Sequence, residues 1–103
     1  MPHHHSTFHT DPTMRDLLVA FTRRLPAQVA QLRSLIAQNN PGEIRRIAHQ
    51  LKGAGKSYGF PPITEHAAAI EQKLSASPAS LPAAQPDLHA LISYIENIEG
   101  YHG

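Results

Sequence analysis

The chain has 103 residues and a formal charge of +1, a size for one hydrophobic core and a balance that excludes an extended basic surface for nucleic acid. It contains no cysteine, which excludes disulfides and thiolate metal sites, so the fold must hold by packing alone. No apolar run approaches the roughly 18 residues of a membrane span and the N-terminus lacks the apolar stretch of a signal peptide, so a soluble, cytoplasmic protein that does not enter a membrane is expected.

Residues 1–10 are polar, without periodicity and rich in histidine, and are expected to form a flexible N-terminal tail. His3, His4, His5 and His9 are imidazoles capable of ligating a transition metal, but a mobile cluster lacks fixed geometry, so no metal site is assigned there. From Thr10-Asp11-Pro12 onward, a capping residue followed by proline opens a first helix. Its apolar stripe is Leu17, Leu18, Phe21, Leu25, Val29, Leu32 and Ile36. Pro26 falls inside it, removing one backbone hydrogen bond and crowding the preceding turn, and a kink or a split into two collinear pieces is expected there.

Asn39-Asn40-Pro41-Gly42 ends the first helix, and a second runs from about Pro41 to Tyr58. It directs Ile44, Ile47, Ala48, Leu51, Ala54 and Tyr58 inward and leaves Arg45, His49, Lys52, Gly53 and Lys56 on another face. Gly59 suits a left-handed cap, and Phe60-Pro61-Pro62 turns the chain into a third helix carrying Ile63, Ala67, Ile70 and Leu74. The stretch from Ser75 to Pro86, rich in Ser, Ala and Pro, is expected to be a loop. A fourth helix from about Pro86 to Glu99 then places Leu88, Leu91, Ile92, Ile95 and Ile98 inward before Gly100. With no alternating β pattern and short connections, these elements predict an all-α, antiparallel four-helix bundle over residues 11–100.

Positions 45, 49, 52, 53 and 56 recur at helical spacing and form one strip on the second helix. His49 at its centre is a nucleophile candidate, since neutral imidazole has a free nitrogen lone pair near pH 7. Arg45 and Lys52, a turn away on either side, are cations of the kind that neutralise phosphoryl oxygens, and Lys56 extends the field. Gly53 and Gly55 each cost about 1 kcal/mol against alanine inside a helix, so both ask for a reason. Close approach is that reason: Gly53 leaves bare backbone beside the imidazole for a partner, and Gly55 admits a neighbouring helix.

The run Ala48-His49-Gln50-Leu51-Lys52-Gly53-Ala54-Gly55, followed by Tyr58-Gly59-Phe60 and Glu65, resembles the histidine-containing phosphotransfer (HPt) family. Phe21, Leu25-Pro26 and Leu32 are similar to the first long helix of those domains, and the resemblance spans about residues 11–74, reaching the fourth helix only by pattern. It implies a monomeric phosphorelay intermediate that accepts a phosphoryl group on His49 from a receiver aspartyl phosphate and passes it to another receiver aspartate. Lys52 would stabilise the phosphoryl oxygens, and Arg45, Gly53 and Lys56 would meet the docked partner. The implied partners are receiver domains of response regulators and hybrid histidine kinases. The resemblance also implies no cofactor within this domain, with Mg2+ supplied by the receiver. No glycine-rich phosphate loop precedes a Lys-Ser/Thr pair, so no ATP-dependent kinase activity is expected. The alternative from another class is a non-phosphorylated helical module that binds a receiver or kinase; the retained His49 between Arg45 and Lys52 argues against it.

Overall fold

The computed structural model describes residues 4–77 and 81–101. The four helices are α1 (Arg15–Ala37), α2 (Pro41–Ser57), α3 (Pro61–Ala76) and α4 (Leu81–Glu96), in a bundle 43 × 23 × 21 Å. No strand is present among the described residues, and none of their helices is long and apolar enough to cross a membrane.

Side-chain caps satisfy free N–H groups at the turn that leads into α1 and at the start of α2. The Asp11 carboxylate accepts from the Thr13 N–H at the head of a 3-10 turn, Pro12–Met14, which leads into α1. The Asn40 side chain accepts from the Glu43 N–H (3.3 Å) and Pro41 occupies the first turn of α2. Asn39, at φ 54°, takes the left-handed conformation that reverses the chain between them.

The core is one continuous cluster. It joins Phe21, Leu25, Val29, Leu32 and Leu35 of α1 to Ile44, Ile47, Ala48 and Leu51 of α2, Ile63, Ala67, Ile70 and Leu74 of α3, and Leu88, Leu91, Ile92 and Ile95 of α4. Such i, i+3, i+4, i+7 stripes, buried against one another, are the main source of helix stability in a bundle. The closest helix pairings are α2 with α3 and α3 with α4, while α1 packs more loosely across them.

Four expectations change. α1 passes Pro26 as one helix rather than two, with the tolerated loss of a single N–H donor. Leu17, assigned to the inward stripe, is 51% exposed at its edge, and Leu35 rather than Ile36 is the buried residue near the end of α1. The expected loop from Ser75 to Pro86 is mostly helix: α3 continues to Ala76 and α4 starts at Leu81, while residues 78–80 lie outside the described residues. Leu81, Ala84 and Leu88 bury on one face, and Pro86 is exposed near the start of α4, where its missing N–H costs one bond whose acceptor carbonyl can turn to water. Lys73 reinforces this corner by donating from Nζ to Asp87 Oδ2 (2.5 Å) and to the Ala83 carbonyl (3.3 Å).

The fourth change is at the N-terminus. Residues 4–10, expected as a mobile tail, lie as a strap across one end of the bundle, although His3 falls outside the described residues. The His4 N–H donates to the Asn97 carbonyl (2.7 Å) and the His4 carbonyl accepts from the Glu99 N–H (2.9 Å). The Thr7 N–H donates to the Gly59 carbonyl (2.8 Å), and the buried Ser6 hydroxyl donates to the Tyr58 carbonyl (2.6 Å). Gly59 makes this possible: at φ 79° its missing side chain leaves the space that Ser6, Thr7 and Phe8 fill.

Candidate functional site

The second helix places its strip as expected, and α3 adds what the strip alone does not contain. Because α2 and α3 run antiparallel, residues whose numbers rise along one helix meet falling numbers on the other. Thr64, Glu71 and Ser75 therefore line up against Lys52, His49 and Arg45 along one polar seam at the solvent edge. The seam is drawn tight at Gly55, where a Cβ would lie 2.8 Å from the Thr64 backbone nitrogen and 2.9 Å from Ile63 Cβ. Beside it, the Thr64 hydroxyl donates to the Lys52 carbonyl (2.7 Å), tying the helices at a register that brings Glu71 beneath His49.

His49 is the exposed member: its side chain is 68% accessible, against 20% for Glu71. Glu71 bridges two groups on α2, with Oε2 2.5 Å from His49 Nδ1 and Oε1 accepting from Lys52 Nζ at 2.5 Å. The hydrogen bond from Lys52 holds the Glu71 carboxyl below its ordinary value, against the opposing cost of burial and with further help from His49. At neutral pH Glu71 is therefore an anion, and a carboxylate can only accept hydrogen bonds. A neutral ring paired with it therefore carries its proton on Nδ1 and presents the lone pair of Nε2 to solvent. An exposed imidazole thus stands oriented at one nitrogen, with a cation one turn away.

The other residues of the strip occupy distinct places. Lys52 does not stand free but is engaged with Glu71. Arg45 is exposed and its Nη1 donates to Ser75 Oγ (3.3 Å), away from the imidazole. Gly53 is exposed, and a Cβ there would meet nothing within 4 Å, so the surface beside His49 is open. Lys56 is exposed in the last turn of α2, where a cation also suits the helix C-terminus. Next to the strip, a shallow groove between α1 and α2 is lined by Phe21, Arg24, Gln28, Gln50, Ala54 and Tyr58. Ala54 thus lies on the accessible edge, whereas Phe60 is buried in the core and is not part of this surface.

Glu71 is the site residue that the motif does not reveal. It sits 22 residues from His49 on a different helix, with ordinary surface spacing to Glu65 and His66. The one signal pointing to it is that it falls opposite His49 once the two helices are set antiparallel around Gly55.

Comparison with protein families matches the one described as Hpt domain over residues 16–101, from the first turn of α1 to beyond the end of α4. No curated protein matches the chain, and no solved structure matches it.

Proposed function

This chain belongs to the Hpt domain family, whose members are phosphocarriers of two-component signalling rather than kinases, and from that premise we propose that His49 accepts a phosphoryl group from one receiver aspartate and yields it to another. The observation that carries this reading is the exposed imidazole whose Nδ1 is engaged by Glu71, leaving Nε2 free to attack. In the accepting step the Nε2 lone pair forms the N–P bond as the P–O bond of the aspartyl phosphate breaks, and the departing electron pair stays on the carboxylate. The transferring oxygens need neutralising and positioning more than covalent help. Lys52 supplies a flexible ammonium within one turn of the ring, and Mg2+ held by the receiver supplies the rest of the charge.

The partner has to bring its aspartate within bonding range of Nε2, which demands an unobstructed approach. Gly53 supplies this, with the α1–α2 groove beside it as the contact for the receiver's surrounding face and with Arg45 and Lys56 toward the rim. We place the exchange in the cytoplasm, with this domain acting between receivers of response regulators and hybrid histidine kinases.

The test is to mix the chain with a receiver labelled on its aspartate, in the presence of Mg2+, and to follow base-stable, acid-labile label. Label on the wild-type chain and none on His49→Gln is the expected result. Receiver binding without any label would replace phosphotransfer with a docking-only role.

A further inference from the structure

We infer that the crevice between the strap and the first turns of α1 is a binding site for a small zwitterion with an apolar body, a free α-amino acid with a leucine-like side chain. The crevice has a volume of about 650 Å3, against about 260 Å3 for the groove between α1 and α2, and no residue lines both. The inference therefore stands apart from the phosphotransfer reading. Small-molecule sites are concave, mostly apolar and of about 300–1,000 Å3, with a few polar groups that fix orientation.

Leu18, Val19 and Phe60 supply the apolar wall. Val19 is 43% exposed, and with Phe8 and Leu17 it makes up the large apolar side chains left uncovered among the described residues. All three fall within residues 8–19, so uncovered apolar surface is concentrated at this end of the bundle, where a ligand can bury part of it. The strap side is preformed. The Ser6 hydroxyl donates to the Tyr58 carbonyl (2.6 Å), the His9 N–H donates to the Ser6 carbonyl (3.0 Å), and His9 Nδ1 lies 2.9 Å from that same oxygen. A ligand has little wall left to order, which lowers the cost of binding.

The rim decides the chemistry. Arg15 is exposed there and has no side-chain partner among the described residues, and its planar guanidinium suits a carboxylate. Asp11 lines the same rim at the head of the 3-10 turn. Its Oδ1 accepts from the Thr13 hydroxyl (2.6 Å) and N–H (2.9 Å), which hold the carboxyl below its ordinary value and leave Oδ2 for a ligand. Glu99 engages His5 Nδ1 through Oε2 (2.5 Å) and leaves Oε1. A simple carboxylate would satisfy Arg15 but face two acids. A simple amine would satisfy the acids but leave the guanidinium beside it unmatched. An ammonium and a carboxylate on one carbon, with an apolar side chain against Val19, match both signs. A metal ion does not fit, since no three ligating side chains converge among the described residues.

A ligand held by Arg15 on one side and Glu99 on the other bridges α1 to the segment that the strap pairs with, so it binds the strap-closed form and stabilises that form by mass action. The experiment titrates L-leucine, isocaproate and isopentylamine, which lack respectively neither charge, the ammonium and the carboxylate, into the nitrogen-15-labelled full chain. We expect saturable amide shifts with leucine at the strap, the first turns of α1 and Glu99–Gly100, and affinity about tenfold weaker for each single-charge analogue, as loss of one charged hydrogen bond requires. Arg15→Gln should weaken leucine by a similar factor, and Asp11→Asn, which keeps the capping oxygen, by less because Glu99 remains. A second readout is amide exchange: leucine should slow it at His4, Thr7 and Glu99, whose N–H groups close the strap. No saturable shift up to the solubility of leucine would overturn the inference, as would shifts confined to the α1–α2 groove. Equal affinity for either analogue would overturn the zwitterion assignment, and so would an Arg15→Gln chain that binds leucine as wild type does.

Discussion

The two ends of α2 meet the rest of the molecule in opposite ways. At its C-terminal end the chain is sealed: the strap from His4 to Thr10 closes over Gly59 and the end of α4 through backbone hydrogen bonds that nearly any sequence can make. In its middle the helix is left open in front and braced from behind, with His49 and Gly53 facing solvent while Glu71 and Thr64 grip from α3. On the proposed reading, a group reached by another protein's aspartate has to be exposed and a nucleophile has to be oriented. The seam is suited to both, since it holds the ring at one nitrogen only.

Substitutions that separate the two regions sharpen this contrast. The largest effect on activity should come from His49→Gln, which removes the nucleophile from an exposed position: phosphoryl uptake is abolished while the thermal midpoint stays within a degree or two of wild type. Gly55→Ala should cost about 1–3 kcal/mol in denaturant unfolding, because the new methyl meets backbone and Cβ atoms of α3 rather than a flexible side-chain end. It should also slow transfer, since pushing α3 outward draws Glu71 from the ring. Gly59→Ala should cost about 1–2 kcal/mol for its left-handed conformation, before any displacement of Ser6 and Thr7, yet leave phosphoryl uptake unchanged. If Gly59→Ala impaired transfer as much as Gly55→Ala, the proposed separation of sealed end and working seam would be wrong.

Gly53→Ala is the smaller counterpart. With open space around the new Cβ it should stabilise the chain by about 0.5–1 kcal/mol, with little loss of transfer, whereas Gly53→Glu should fold and transfer slowly by blocking the approach. The smallest effect is on pH dependence. Glu71 has its carboxyl held below the ordinary 4.5, so folding binds its charged form more favourably than the unfolded chain does. Its contribution is complete above that ordinary value and is lost as pH falls from there through the lowered folded value. Glu71→Gln should therefore flatten the acid limb of a stability-versus-pH curve and leave the neutral region nearly parallel to wild type.

The legible part of the molecule is what a single helix can encode. His49, Lys52, Gly53 and Gly55 are visible because their spacing on α2 fixes where they stand on the helix, and the inward stripes of α2 and α3 follow from the same periodicity. Glu71 is not visible that way, since it matters only through the register of a second helix, set by Gly55 and Thr64. The strap is hidden for another reason: its polar, histidine-rich sequence has no periodic signal and is held mainly by main-chain groups and one buried serine. Pro86 misplaces the start of α4 because proline favours the first turn of a helix, yet the buried Leu81 and Ala84 extend the apolar face upstream of it.

The central claim is that His49 is a carrier and not an end point. Its most direct test is a chase: phosphorylate the chain from a labelled receiver, purify it away from the donor, add a fresh receiver with Mg2+, and measure label on both proteins with time. The account predicts label at His49 that leaves the chain and appears on the receiver's aspartate in equal amount. Label that sits on another residue, or that stays on His49 while the receiver remains unlabelled, would contradict it.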